Sequence, residues 1–265
     1  MKNYLVIGDP IEHSLSPKIH NYWFKKNNVD ANYNKEHISE NELKNFVERL
    51  RNKEINGANI TVPFKEKIIP YLDKLSNEAK VANSVNTIYM SNNKVVGHNT
   101  DIAGFYLSLK SKSIDVKNKK ALIFGSGGVT PSIILGLRKL GIVKITISNR
   151  TLEKAVKLKE RFNFVEILKW GQTTEANLII NSTSLGLKEA DKINLDKKYF
   201  KPDNIFYDVI YNPNETNFLK EAKRNGCNTQ NGLLMFLYQA AEAFKTWHNI
   251  EPIINDNVIN LIKND

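Results

Sequence analysis

The stretch ALIFGSGGVTPSIILGLRKLGIVKITISNR, residues 121–150, constrains this chain more than any other. Residues 121–124 are a short apolar run of the kind buried in a parallel sheet. Gly125, Ser126, Gly127 and Gly128, followed by Val129, make a turn with little side-chain bulk. Ile133, Ile134, Leu137 and Leu140 then recur at helical spacing, Pro131 falls in the first turn where its missing N–H costs little, and Gly141 stops the helix. Residues 144–148 alternate like a second strand. Strand, glycine turn, helix and strand together place backbone N–H groups and a helix N-terminus where they can hold a pyrophosphate. The end of the second strand selects the dinucleotide. A site for NAD wants an acid about 20 residues past the glycines, on the ribose 2′-hydroxyl. Here stand Asn149, Arg150 and Thr151, with Lys154 one turn on. A guanidinium and an ammonium attract a 2′-phosphate that a carboxylate would repel, so the reading is NADP(H) rather than NAD(H).

Composition sets the outer limits. A chain of 265 residues is long enough for two modest domains, and 41% hydrophobic with 25% charged residues is ordinary for a globular protein. No apolar stretch reaches bilayer length, and the N-terminus enters a strand and turn too early for a signal peptide, so no membrane partner is expected. The single cysteine, Cys227, excludes an internal disulfide and fits the cytoplasm. The five histidines show no paired ligand spacing, so no metal site is expected. The net charge of +10 comes mostly from lysines mixed with acids along the chain, without an aromatic-interleaved basic platform, so nucleic acid is not expected either. The positive field would still draw anionic small molecules.

The first hundred residues alternate strand and helix as well. Residues 4–8, 32–38 and 57–62 read as strands, with helices at 17–26 and 40–51. Ser39 and Glu42 form a capping box for the second of these. Shorter helices are predicted near 65–69 and at 77–82, and a hairpin joins 87–90 to 94–97. A connecting helix at 102–109 and the polar segment 110–120 lead into the nucleotide-binding half, which continues with strands at 164–168, 178–181 and 205–209 and helices at 152–162 and 217–225. Residues 232–248 form a long apolar helix that packs back on the first domain or bridges the two. The domain reading is 1–103, completed by 232–265, and 104–231.

Polar residues cluster at predicted strand ends of the first half. Ser14 and Ser16 share the turn after the first strand, beside His13; a helix cap is the plain alternative for Ser16. Asn59, Thr61 and Lys65 follow in ANITVPFK, Asn86 lies in SVNT and Asp101 in HNTD. Lys65 read alone is an exposed lysine. Paired with an aspartate in a partly dry cleft, it can pass a proton to an alkoxide, which is what hydride transfer to a ketone requires.

These pieces together resemble the shikimate dehydrogenase family. Its segments occur in order as GDPIEHSLSPKIH, NITVPFKE, ANSVNT, GHNTDIAGF, GSGGV, SNRT, NSTSLG, DVIYNPNETNFL and NGLLMFLYQA, from residue 8 to residue 240. The resemblance implies an α/β fold with an N-terminal substrate-binding domain, a Rossmann-like NADP-binding domain and a C-terminal helix returning to the first domain. It implies NADPH-dependent, reversible reduction of 3-dehydroshikimate to shikimate in aromatic amino-acid biosynthesis. It implies Lys65 and Asp101 as the acid-base pair, and Ser14, Ser16 and Tyr211 at the substrate carboxylate. Thr61, Asn86, Asp101 and Gln239 would hold the ring hydroxyls. Gly125 to Val129 would cradle the pyrophosphate, and Asn149, Arg150, Thr151 and Lys154 the 2′-phosphate. Ile210, Gly232 and Thr183 would lie near the nicotinamide.

The chain departs from the family at Ser126 and Val129, where alanine is common, and at Lys154, where many members carry arginine. A lysine keeps the charge and loses the bidentate fork. The alternatives are a quinate/shikimate dehydrogenase of broader specificity, whose substrate needs more room beside Ser14, and a non-catalytic NADP-binding regulator, which predicts erosion of Lys65 or Asp101. Both residues are present. Monomer and homodimer remain open.

Overall fold

Two six-stranded sheets carry the chain in the computed structural model, which describes residues 1–172 and 174–263. Contacts divide it into a unit of Met1–Gly104 with Leu237–Asp265 and a unit of Phe105–Phe236. Residues 264 and 265, the end of the segment expected to complete the first domain, lie outside the described residues.

The first unit is built on β1 (Lys2–Gly8), β2 (Ala31–His37), β3 (Gly57–Ile60), β4 (Lys74–Leu75), β5 (Thr87–Ser91) and β6 (Lys94–His98), in the order β2-β1-β3-β5-β6-β4. β1 pairs in parallel with β2 and β3, whereas β5 runs antiparallel to both β3 and β6. One end of the sheet therefore gathers the segments after β1, β3 and β6 and the one before β5, and the polar residues singled out in the first half lie in these segments, with Asn59 near the end of β3 itself. The hairpin turns on Asn92 and Asn93, both at positive φ (49° and 58°), the geometry a two-residue turn demands of its central residues. α1 (Ser16–Lys26) buries Ile19, His20, Trp23 and Phe24. α2 (Leu43–Arg51) buries Leu43, Phe46, Val47 and Leu50 at helical spacing, entered through a short 3-10 helix on which Ser39 and Glu42 form the expected capping box. α3 (Asn77–Ala82) starts on the Ser76 hydroxyl, which accepts from the Ala79 N–H at 3.1 Å.

One expectation fails here. Residues 65–69 were expected to be helical and instead make turns that end in a 3-10 helix, Ile69–Tyr71. Pro70 lacks the N–H a helix needs and disfavours helical backbone in the residue before it. β3 likewise stops at Ile60 rather than at 62, because the chain leaves the sheet before Pro63.

α4 (Asp101–Lys110) begins in the first unit, and its second half contributes Phe105 and Leu109 to the core of the second. The change of unit thus falls inside this helix, at Gly104, and the polar 110–120 segment lies wholly within the second unit. That unit contains β7 (Lys120–Phe124), α5 (Thr130–Lys139), β8 (Lys144–Asn149), α6 (Leu152–Arg161), β9 (Val165–Lys169), β10 (Leu178–Asn181), β11 (Ile205–Asp208), α7 (Asn217–Arg224) and β12 (Asn228–Gln230). All pairings are parallel and the order is β12-β11-β10-β7-β8-β9. The chain winds outward in both directions from β7 and β10, the doubly wound order with its switch point between those two strands.

α8 (Leu233–His248) and α9 (Asp256–Lys263) end the chain, and everything from Leu237 onward belongs to the first unit, as expected of a returning helix. Trp247 of α8 donates from Nε1 to the Ile88 carbonyl at 3.2 Å and stands against Gly57 of β3. β4, β12 and α9 are not predicted by the sequence: the strands are two and three residues long without apolar alternation.

A Cβ on Gly57 would lie 2.7 Å from Trp247 Nε1 and 3.1 Å from the Ile88 carbonyl. Gly57→Ala is expected to destabilise the protein by about 2 kcal/mol, seen as a lower thermal midpoint. An unchanged midpoint would show that Trp247 does not hold this strand.

Candidate active site

In the first unit the sheet end becomes a hydrogen-bonded cluster. Lys65, on the loop after β3, donates from Nζ to Asp101 Oδ2 at 2.6 Å, and the two side chains are 14% and 7% exposed. The pair is therefore shielded but reachable. Asp101 opens α4, and its other oxygen, Oδ1, accepts from Asn86 Nδ2 at 2.9 Å. Asn86 is itself held rigidly. Its Oδ1 accepts from the Thr100 backbone N–H at 2.8 Å, which forces Nδ2 toward Asp101, Thr100 Oγ1 (2.9 Å) and Gln239 Oε1 (3.4 Å). The Lys65 carbonyl accepts from the Val85 N–H at 2.8 Å, tying the lysine loop to the segment that carries Asn86.

The structure thus brings together Lys65, Asp101, Asn86 and Gln239. Thr61 lies on the same loop as Lys65, half-buried, its N–H on the Ile7 carbonyl at 2.9 Å and its methyl against Gly8, where a Cβ would come within 2.5 Å. Ser14 and Ser16 flank Leu15 at the start of α1. The Ser16 N–H donates to Ser14 Oγ at 3.4 Å, and neither hydroxyl caps the helix from the N-cap position, which is Leu15. Tyr211 belongs to the second unit, where its ring stacks on Phe236 with centroids 4.7 Å apart and burial pushes its phenol up to about 12. Two contributors carry no weight in the sequence reading: Thr100, adjacent to Asp101, and Thr87, adjacent to Asn86, both fully buried in the same network.

In the second unit the glycine turn leaves β7 at the switch point. Gly125 adopts φ 109° and packs so closely on the segment after β10 that a Cβ would lie 2.7 Å from Ser182 Oγ and 2.9 Å from the Thr183 methyl. Only glycine fits this bend. Gly127 is the opposite case, because a Cβ there would meet nothing within 4 Å. Thr130, five residues past Gly125 where dinucleotide-binding turns usually carry a third glycine or alanine, bonds to Ser182 Oγ at 3.0 Å and to the Gly125 carbonyl at 3.3 Å, so it braces the turn to the segment after β10. Ser126 Oγ is buried with no hydrogen-bond partner. An open glycine face, an orphaned hydroxyl and the N-terminus of α5 suit a phosphate. Gly128 and Val129 complete the turn, with Val129 half-buried against the core below α5.

Asn149 ends β8 and donates from Nδ2 to the Thr151 carbonyl at 2.8 Å, while Arg150, Thr151 and Lys154 are exposed at the start of α6. Ile210 and Gly232 meet through the Gly232 N–H on the Ile210 carbonyl at 3.1 Å, and a Cβ on Gly232 would lie 2.0 Å from the Val209 carbonyl. Thr183 donates to Asn181 Oδ1 at 2.7 Å. Asn181 in turn donates to Asp208, a carboxylate that also accepts from Thr216 Oγ1 at 2.6 Å and from the Ile210 N–H at 3.0 Å. Asp208 thereby knits together the segments after β10 and β11. Among the described residues no group of acids, histidines and cysteine has the arrangement of a metal site, and no helix is long and apolar enough to cross a membrane.

Both halves match known families. The model described as the shikimate dehydrogenase substrate binding domain matches residues 6–88, and that described as shikimate / quinate 5-dehydrogenase matches residues 108–192. The chain is 54% identical over 261 residues to the shikimate dehydrogenase (NADP(+)) of Pelagibacter ubique, covering 98% of each. The crystal structure of shikimate dehydrogenase from Aquifex aeolicus superposes with a TM-score of 0.91 at 38% identity, covering 99% of this chain and 98% of that one. The Thermus thermophilus shikimate 5-dehydrogenase, solved in complex with NADP(H) and shikimate, gives 0.88 at 32% identity, covering 96% and 95%. The doubly wound nucleotide-binding sheet and the lysine–aspartate cluster thus belong to a member of the shikimate dehydrogenase family.

Burial raises the Asp208 carboxyl to about 6, outweighing the donors that favour its ionised form. A carboxyl with a raised folded value contributes stability below its unfolded value near 4, and that contribution is lost as the pH rises through about 6. The margin by which wild type exceeds Asp208→Asn in thermal stability should therefore shrink by up to about 3 kcal/mol between pH 4 and pH 6.5. A margin independent of pH would mean that Asp208 is already ionised at pH 4.

Proposed function

We propose that this chain catalyses the reversible, NADPH-dependent reduction of 3-dehydroshikimate to shikimate, and that Lys65 with Asp101 forms its acid-base pair. The observation that carries the chemistry is the shielded Lys65–Asp101 ion pair, anchored on its far side by Asn86. NADPH, when bound, supplies the hydride. The carbonyl carbon that receives it leaves its oxygen needing a proton, and Lys65 Nζ is the donor. Asp101 holds the ammonium in place and remains the counter-ion; in the oxidation direction the lysine takes the proton back. Because Asn86 occupies Asp101 Oδ1, the carboxylate presents only Oδ2 to the lysine, which fixes the direction in which Nζ points.

The substrate is a small polyhydroxylated acid, and the first unit offers short polar side chains in place of an apolar slot. We assign Ser14 and Ser16 to its carboxylate, with Tyr211 assisting, and Thr61, Asn86, Asp101 and Gln239 to its hydroxyls. Such donors reject a substrate that leaves them unpaired. We assign Gly125, Ser126, Gly127, Gly128 and Val129 to the pyrophosphate, and Asn149, Arg150, Thr151 and Lys154 to the adenosine 2′-phosphate. Ile210, Gly232 and Thr183 are assigned to the nicotinamide end. The domain roles follow: 1–103 with 232–265 binds substrate, and 104–231 binds NADP(H). The protein acts in the cytoplasm as a monomer or homodimer.

Lys65→Ala is expected to lower kcat by several orders of magnitude while NADPH affinity, read by fluorescence titration, stays near wild type. Turnover at the wild-type rate would remove Lys65 from the mechanism. Arg150→Ala should weaken NADPH binding at least tenfold, the scale of one charge-assisted contact, and leave NADH binding nearly unchanged. Equal losses for both nucleotides would refute the 2′-phosphate assignment.

A further inference from the structure

Behind the Lys65–Asp101 pair runs a buried hydrogen-bond chain that none of the assigned roles uses. It starts at Tyr33 of β2, which is fully buried. The Tyr33 phenol donates to Asn59 Oδ1 at 2.7 Å. That direction is fixed, because Asn59 Nδ2 donates to the Asn86 backbone carbonyl at 3.0 Å, a group that can only accept. Asn59 Nδ2 also reaches Thr87 Oγ1 at 3.0 Å, and Thr87 Oγ1 donates to Asn86 Oδ1 at 3.2 Å. Asn86 Nδ2 then donates to Asp101 Oδ1, and the other carboxylate oxygen, Oδ2, accepts from Lys65 Nζ. Each amide can be turned only one way.

The phenol is braced on its other side. His20 lies flat on the Tyr33 ring, centroids 4.4 Å apart and planes 3° from parallel. Burial pushes the His20 imidazole down to about 3, and neither of its nitrogens has a hydrogen-bond partner. A buried polar ring without partners is costly. Here it serves as a flat neutral plate that holds a second ring by stacking. The Ser16 hydroxyl also lies beside the phenol.

We propose that Tyr33 is a positioning residue for catalysis: through Asn59 and Asn86 it holds the Asp101 carboxylate in the orientation that aims Lys65. The inference rests on the assignment of Lys65 and Asp101 as the acid-base pair. Tyr33 touches neither of them, so its effect on Asp101 travels through Asn59, Thr87 and Asn86. Removing the hydroxyl strands Asn59 Oδ1 in a buried site without its donor, and the amide that supports Asn86 is then free to shift. A small displacement of the aligned groups lowers the rate of proton transfer more than it lowers the affinity for either ligand.

The test is a double-mutant cycle of Tyr33→Phe and Asn59→Ala, read in shikimate oxidation, with Lys65→Ala in the same assay. Tyr33→Phe keeps the ring and its stack on His20. Active protein is counted by stoichiometric NADPH binding, so misfolded material does not enter kcat. Tyr33→Phe should lose about tenfold in kcat, the rate equivalent of one hydrogen bond, with KM for NADP⁺ unchanged. The double variant should have a kcat no lower than that of Asn59→Ala alone, because without Asn59 the hydroxyl no longer reaches Asn86. Wild-type kcat in Tyr33→Phe, or losses that multiply in the double variant, would overturn the proposal if Lys65→Ala is inactive. Wild-type turnover in Lys65→Ala would overturn the acid-base pair and this inference with it.

Discussion

The amide of Asn86 is the constraint on which the arrangement of Lys65 and Asp101 depends. Its oxygen is claimed by the Thr100 backbone N–H and its nitrogen by Asp101, so the side chain cannot flip without breaking both contacts. Because Asn86 precedes β5 and Thr100 follows β6, the antiparallel pairing of those strands sets the distance between them. Sheet register thus becomes the rotamer of a carboxylate, and that carboxylate sets the place of the lysine ammonium. In a buried network of this kind a single missing donor costs more than a typical hydrogen bond contributes, which keeps the arrangement unique.

In the proposed reading the second unit solves a different problem, the close approach of backbone to an anion. Gly125 bends against Ser182 and Thr183, while Gly127 leaves one face of the turn open. Thr130 stands where the usual pattern has glycine or alanine, and its hydroxyl converts that position into a brace to Ser182. The departure from the common fingerprint is therefore compensated locally. The orphaned Ser126 hydroxyl adds a donor that an alanine would lack.

Much of this was legible in the sequence because the signals were local. The glycine turn, the helix behind it and the basic run after β8 each declare themselves within about a dozen residues, a window in which periodicity and turn chemistry are strong. The capping box at Ser39 and the asparagine hairpin at 92–93 were equally plain. The short strands β4 and β12 were not, since they exist only through pairing with distant partners. The helix expected at 65–69 was lost to Pro70, and that loss leaves Lys65 on a loop whose carbonyl is bonded to Val85. Among the site residues, Lys65, Asp101 and Asn86 could be singled out from motif segments. Tyr33 could not, because nothing in ANYNKEH marks a tyrosine whose hydroxyl connects through Asn59, Thr87 and Asn86 to Asp101.

The central claim is tested most directly by following nicotinamide absorbance with the purified protein, offering shikimate and quinate each with NADP⁺ and with NAD⁺. The account predicts rapid reduction of NADP⁺ with shikimate and far slower turnover in the other three mixtures. Comparable rates with quinate or NAD⁺ would contradict the specificity read from Ser14, Ser16 and Arg150, and no turnover in any mixture would contradict the enzymatic reading itself.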